Sequence, residues 1–113
     1  MTRDISIILP ARNEAESLGK LLPELRRNFP EEEIIVVNDG SSDNTVELCE
    51  HNQVRVISHV YSMGNGAAIK TGTRNAAGNV LVFMDADGQH GPDDINRLLE
   101  KIEDGYDMVV GAR

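Results

Sequence analysis

Residues 80–90 read Val80-Leu81-Val82-Phe83-Met84-Asp85-Ala86-Asp87-Gly88-Gln89-His90. The apolar run Val80–Met84 is too short for a core helix and rich in β-formers, which predicts a buried strand. It ends abruptly in Asp85 and Asp87, one residue apart. Two acids at the end of a buried strand repel each other and are costly to desolvate without a cation. The pattern therefore points to a divalent metal, and through it to chemistry on phosphates.

Similar runs recur on both sides of this stretch. Ile5–Leu9, Ile34–Val37, Val54–Ser58 and Met108–Val110 also read as strands. They are nearly continuous in apolar residues, as expected when both faces of a sheet are covered. Helical patterns lie between them. Leu18, Leu21, Leu22, Leu25 and Phe29 follow helical spacing, and Pro23 must kink that helix or lie in its first turn. Residues 43–51 predict a short second helix behind a Ser/Asp/Asn-rich approach, and residues 65–77 a third with Ala67, Ala68 and Ile69 on its apolar side. Pro92 opens a fourth, whose stripe Ile95, Leu98, Leu99 and Ile102 ends at Gly105. This alternation predicts an α/β fold, a Rossmann-like, doubly wound, mostly parallel sheet.

With 113 residues the chain is expected to form one domain, and its formal net charge of −8 makes nucleic acid a poor partner. An acidic chain that binds phosphate needs help from a metal. Cys49 is the single cysteine, so no internal disulfide is available, and a small apolar role on a helix is expected rather than a catalytic thiol. No segment approaches a signal peptide or membrane span. A soluble, cytoplasmic chain is expected, with a peripheral place on the cytoplasmic membrane face as an option for a longer protein.

Ligands of open parallel sheets bind beyond the carboxyl ends of the strands. Strand one runs into Pro10-Ala11-Arg12-Asn13-Glu14, strand two into Asn38-Asp39-Gly40-Ser41-Ser42-Asp43-Asn44-Thr45, and strand four into Asp85–His90. Alone, each has a plain structural reading as a turn, a helix cap or a solvated loop. Their shared position predicts convergence on one crevice. Gly64–Gly72 nearly spells a phosphate-binding P-loop, but Ile69 stands where that loop needs glycine before Lys70-Thr71. A flexible Gly-rich approach, with a helix N-terminus able to face phosphate, is the better reading. Lys70 could assist there or be solvated. His90 could be a further ligand or a surface group, while His51 and His59 show no suitable neighbours in the sequence. Glu103-Asp104 reads as a solvated helix end.

Taken in order, these residues resemble the family 2 glycosyltransferases with the GT-A fold, of the dolichol-phosphate mannose synthase and undecaprenyl-phosphate sugar transferase type. The resemblance runs from Ile5 to Arg113 and rests on the three strand-end segments, Gly64–Gly72 and Gly111-Ala112-Arg113. It implies that Pro10, Ala11, Arg12 and Glu14 line a nucleotide pocket, with Glu14 near the ribose and Asp39 on the nucleobase. Lys70, Asp85 and Ala86 would complete the nucleotide contacts. Asp85, Asp87 and Gln89 would hold Mg²⁺ or Mn²⁺ on the diphosphate of a nucleoside-diphosphate sugar. Asp87 and Arg113 are the implied catalytic residues, Arg113 near the diphosphate or an acceptor phosphate. Arg12 and Asn38 differ from the aromatic and the acid often found there in the family.

The implied reaction is metal-dependent, inverting transfer of a sugar to an acceptor, such as a polyprenyl or dolichyl phosphate. A hydroxyl acceptor would need a general base, whereas a phosphate is already anionic. Residues 1–113 are expected to be a single nucleotide-sugar-binding domain that stops before an acceptor-binding region, and to be inactive or slow alone. The alternatives are a non-catalytic nucleotide-sugar or metal-binding module and, more remotely, a P-loop NTPase.

Overall fold

The computed structural model describes residues 5–78, 80–84 and 108–110. The elements follow as β1 (Ile5–Ala11), α1 (Ala15–Asn28), β2 (Glu33–Asp39), α2 (Thr45–His51), β3 (Arg55–His59), α3 (Asn65–Asn75), β4 (Val80–Phe83) and β5 (Met108–Val110). All strand pairs are parallel, in the order β3-β2-β1-β4-β5. The chain steps outward from β1 to β3 and then returns across the sheet to place β4 on the other side of β1. That reversal creates a topological switch point between β1 and β4, where such sheets bind ligands. The ends of β2, β1 and β4, singled out by their polar residues, belong to three adjacent strands.

The apolar runs are continuous because both faces are indeed covered. Ile7, Leu9, Ile34 and Val36 pack with Leu18, Leu22, Leu25 and Phe29 of the α1 region and Cys49 of α2. Ile8, Ile35, Val37 and Phe83 face the other way, against Ala68 and Ile69 of α3. Alternate residues of each strand thus feed opposite layers. Gly72 lets α3 come close to β1, since a Cβ there would lie 2.4 Å from Ile8 Cγ2.

Several boundaries differ from expectation. The strands extend further, β1 to Ala11 and β2 to Asp39, carrying polar residues into the sheet's carboxyl edge. α2 begins at Thr45 rather than at 43, because Asp43 bonds the Thr45 amide ahead of the helix (3.2 Å). α3 ends at Asn75, and Ala76 is already extended. Pro23 lies well inside α1 rather than in its first turn. Pro23 and Gly19, whose carbonyl loses its helical partner to the proline, are both exposed, so that oxygen lies on the solvent-facing side of the helix. The helix expected from Pro92 lies outside the described residues.

At the opposite, amino edge of the sheet, buried Ser6 and Glu33 close the structure. The Ser6 hydroxyl donates to Glu33 Oε1 (2.8 Å) while the Ala77 amide donates to the same oxygen (2.8 Å) and the Gly78 amide to Ser6 Oγ (2.9 Å). This network fixes the approach to β4. The carboxyl edge is left to the loops.

Candidate functional site

Two of these loops are zipped together by short polar side chains. Asn13, in the left-handed region at φ 53°, donates its amide to Ser41 Oγ (2.9 Å) and accepts from the Ser42 amide with Oδ1 (2.9 Å). Asp43 Oδ2 accepts from the Ala15 amide (3.1 Å), and its Oδ1 accepts from the amide and hydroxyl of Thr45. One carboxylate therefore serves the first turns of both α1 and α2, whose own cap residues, Glu14 and Asn44, make no side-chain cap bond. Burial opposes ionisation of Asp43, but these donors outweigh it and hold its pKa below the usual value. Asn38, where an acid was the family expectation, donates to Ser58 Oγ (3.2 Å) and accepts from the Ser41 amide (3.0 Å). An amide does both jobs; a carboxylate could not donate.

Asp39 organises the third loop. Its Oδ1 accepts from His59 Nδ1 (2.8 Å) and the Met63 amide (2.8 Å), and its Oδ2 from the Ser62 hydroxyl (3.1 Å) and the Gly64 amide (3.0 Å). A carboxylate has about four acceptor positions, so all are in use. The sequence suggested that the N-terminus of α3 could face phosphate. The amides of Met63 and Gly64, just ahead of that helix, hold the Asp39 carboxylate. Burial favours the neutral acid, yet the Met63 amide, His59, the Gly64 amide and Ser62 together lower its pKa to about 2.

A pH dependence follows. Asp39 binds protons less readily when folded than when unfolded, where its pKa is about 3.9. Its contribution to stability is complete above that value and is lost as pH falls toward about 2. Urea unfolding between pH 5 and 2 is expected to show this loss, and it should shrink in an Asp39→Asn variant.

His59 corrects the expectation that it has no suitable neighbours. It ends β3 in register with Asp39 at the end of β2, and its Nε2 meets Thr71 Oγ1 of α3 at 2.8 Å. Gly40 permits this closeness: at φ +76° it approaches the backbone of Tyr61 and Ser62, and a Cβ would lie 2.6 Å from Ser62 N.

Between these loops lies a cleft of about 230 Å³. The end of β1 contributes Pro10, Ala11, Arg12 and Glu14; Asp39, Ser62, Gly64 and Ala68 supply the rest. Its size suits part of a nucleotide, since pockets for whole drug-sized ligands run from about 300 to 1,000 Å³. Five of the sequence-predicted residues, Pro10, Ala11, Arg12, Glu14 and Asp39, are brought together here. Lys70 is exposed on α3 and does not line the cleft. Asp85, Ala86, Asp87, Gln89, His90, Glu103-Asp104 and Arg113 lie outside the described residues. The chain reaches Asp85 from Met84, whose amide donates to the Ile8 carbonyl (3.0 Å) as a continuation of the β1–β4 ladder. Cys49 is fully buried, and burial, with Glu50 nearby, raises its thiol to about 11, which leaves it unreactive as expected. Ser62 and Thr71 carried no signal of their own.

A sequence model described as Glycosyl transferase family 2 matches residues 6–113. The chain belongs to glycosyltransferase family 2. It is 37% identical over 115 residues to a dolichol-phosphate mannosyltransferase of Pyrococcus furiosus, covering 96% of this chain and 33% of that protein. It is 34% identical over 121 residues to a polyprenol monophosphomannose synthase of Mycolicibacterium smegmatis, covering 99% and 46%. The chain thus spans less than half the length of these relatives. Among solved structures, glucosyl-3-phosphoglycerate synthase of Mycobacterium tuberculosis, crystallised with Mn²⁺, UDP and glucosyl-3-phosphoglycerate, superimposes with a TM-score of 0.74. Identity there is 26%, with 88% of this chain and 39% of that one covered. The family 2 chain has the GT-A fold that its strand-end residues implied.

Proposed function

We propose that this family 2 chain forms the donor-binding part of a glycosyltransferase, taking a nucleoside-diphosphate sugar into the cleft at the end of β1. The observation that carries this reading is the gathering of Pro10, Ala11, Arg12, Glu14 and Asp39 around one cleft at the carboxyl edge of the sheet. In this reading Pro10 and Ala11 offer an apolar surface for the base, and Glu14 reaches the ribose. Arg12, exposed at the rim, adds positive charge to an acidic chain. Asp39, with its acceptors filled by protein donors, shapes the base-facing wall and reaches the base only by exchanging a donor.

Among the described residues, no three His, Cys, Asp or Glu side chains are grouped to hold a metal ion. The metal proposal therefore rests on Asp85, Asp87 and Gln89, directly beyond β4. A divalent cation, Mg²⁺ or Mn²⁺, would supply neutralisation of the charge that grows on the departing nucleoside diphosphate. A polyprenyl-phosphate acceptor is proposed on the strength of the relatives' names, and inversion at the sugar carbon and a place for Arg113 near a phosphate on the family resemblance of the sequence. No helix among the described residues is long and apolar enough to cross a membrane.

Calorimetric titration of the 113-residue chain with UDP, GDP and CDP, with and without Mn²⁺, tests this. Metal-dependent binding of one nucleotide is expected, and Asp87→Ala should remove the metal dependence while leaving the unfolding midpoint nearly unchanged. No binding by any of them would overturn the donor-site reading. Binding that is never followed by transfer in the full-length protein would favour a non-catalytic module.

A further inference from the structure

Helix α3 supplies Ala68 to the cleft and follows directly on the loop that supplies Ser62 and Gly64. Apolar packing, with Gly72 set closely against Ile8, seats this helix on the sheet. Two polar ties to β3 fix it. Arg55 Nη1 donates to the Asn75 carbonyl near the helix end (2.9 Å), and His59 meets the Thr71 hydroxyl one turn earlier (2.8 Å). The second tie continues into the cleft. Asp39 is ionised and can only accept, so His59 Nδ1–H donates to its Oδ1 (2.8 Å). Nε2 is left to meet the Thr71 hydroxyl (2.8 Å). Thr71, His59 and Asp39 thus form one continuous chain from α3 to the cleft. Only 9% of the His59 side chain and 8% of Asp39 are exposed, so water is a poor substitute for either bond.

We infer that His59 is a positioning residue for the cleft: through Thr71 it sets where α3 stands relative to Asp39. It thereby fixes the wall of Ser62, Gly64 and Ala68. The inference rests on the donor-site reading only for its effect on nucleotide. Its structural half concerns the loop alone.

The test uses near-isosteric changes that keep the fold. Thr71→Val removes the hydroxyl, Thr71→Ser keeps it, and His59→Asn keeps an N–H for Asp39 while losing the reach to α3. Two readouts are taken: the UDP dissociation constant with Mn²⁺, and amide hydrogen exchange at Met63 and Gly64. Thr71→Val and His59→Asn are each expected to weaken UDP binding and speed exchange at these amides by about five- to tenfold, the scale of one buried hydrogen bond. Thr71→Ser should match the wild type. The double variant should be no worse than either single, because both cut the same link. Unchanged exchange in Thr71→Val, or losses that simply add in the double variant, would overturn the positioning role. Should the wild-type chain bind no UDP, the donor-site reading falls, and the exchange measurements still decide the role of His59.

Discussion

Replacing Asp39 with Ala is expected to lower the unfolding free energy by about 3 kcal/mol and to abolish nucleotide binding. The substitution strands His59 and the amides of Met63 and Gly64, and releases the Ser62 hydroxyl. A buried donor left without its partner costs about 1–3 kcal/mol. Ser62, Met63 and Gly64 are all exposed and can turn to water, so the full sum is not expected. The buried His59 side chain carries most of the loss. Asp39→Asn should lose less, since it keeps one carbonyl oxygen but turns an amide N–H₂ toward existing donors. Urea unfolding measures both, and a loss below about 1 kcal/mol for Asp39→Ala would show that the loop stands without its carboxylate.

Gly40→Ala is the second large effect, expected at about 2–4 kcal/mol with loss of the cleft. Its φ of +76° is strained for an L side chain, and the new Cβ would lie 2.6 Å from Ser62 N and 3.0 Å from the Tyr61 carbonyl carbon. Both neighbours are backbone, so relief requires moving residues 61–62, and Ser62 lines the cleft. Gly66→Ala is the internal control. It lies in α3 with open space around the added carbon, and Ala is the better helix former by up to about 1 kcal/mol. Thermal unfolding of the two variants should therefore move in opposite directions. Equal shifts would contradict the close approach at Gly40.

These effects concern residues whose roles were legible to different degrees. The strands could be read because both faces are covered, which makes runs such as Ile7-Ile8-Leu9 continuous in apolar residues. The convergence of the strand-end clusters was expected from their shared place at the carboxyl ends of a parallel sheet, whereas the adjacency of their strands comes from the strand order. Strand ends were underestimated because polar Asn38 and Asp39 still belong to the ladder, paired with Ser58 and His59. The pairing of His59 with Asp39 depends on parallel register, and its contact with Thr71 on the rotation of α3. Neither is encoded in local sequence. The same holds for Asp43, which resembles an ordinary cap for α2 yet also bonds the first amide of α1. Pro10, Ala11, Arg12, Glu14 and Asp39 could be named through family resemblance, and their convergence is a matter of topology. What resemblance did not disclose is that Asp39 is already saturated by the protein.

In the proposed binding mode, nucleotide enters between the end of β1 and the β3–α3 loop. Amide chemical-shift mapping of the isotopically labelled chain during titration with UDP and Mg²⁺ follows this entry residue by residue. The largest shifts are expected at Ala11, Arg12, Ser62 and Gly64, with little change at Ala77 and Gly78 on the amino edge. Shifts concentrated at that amino edge, or none at saturating UDP, would contradict the account.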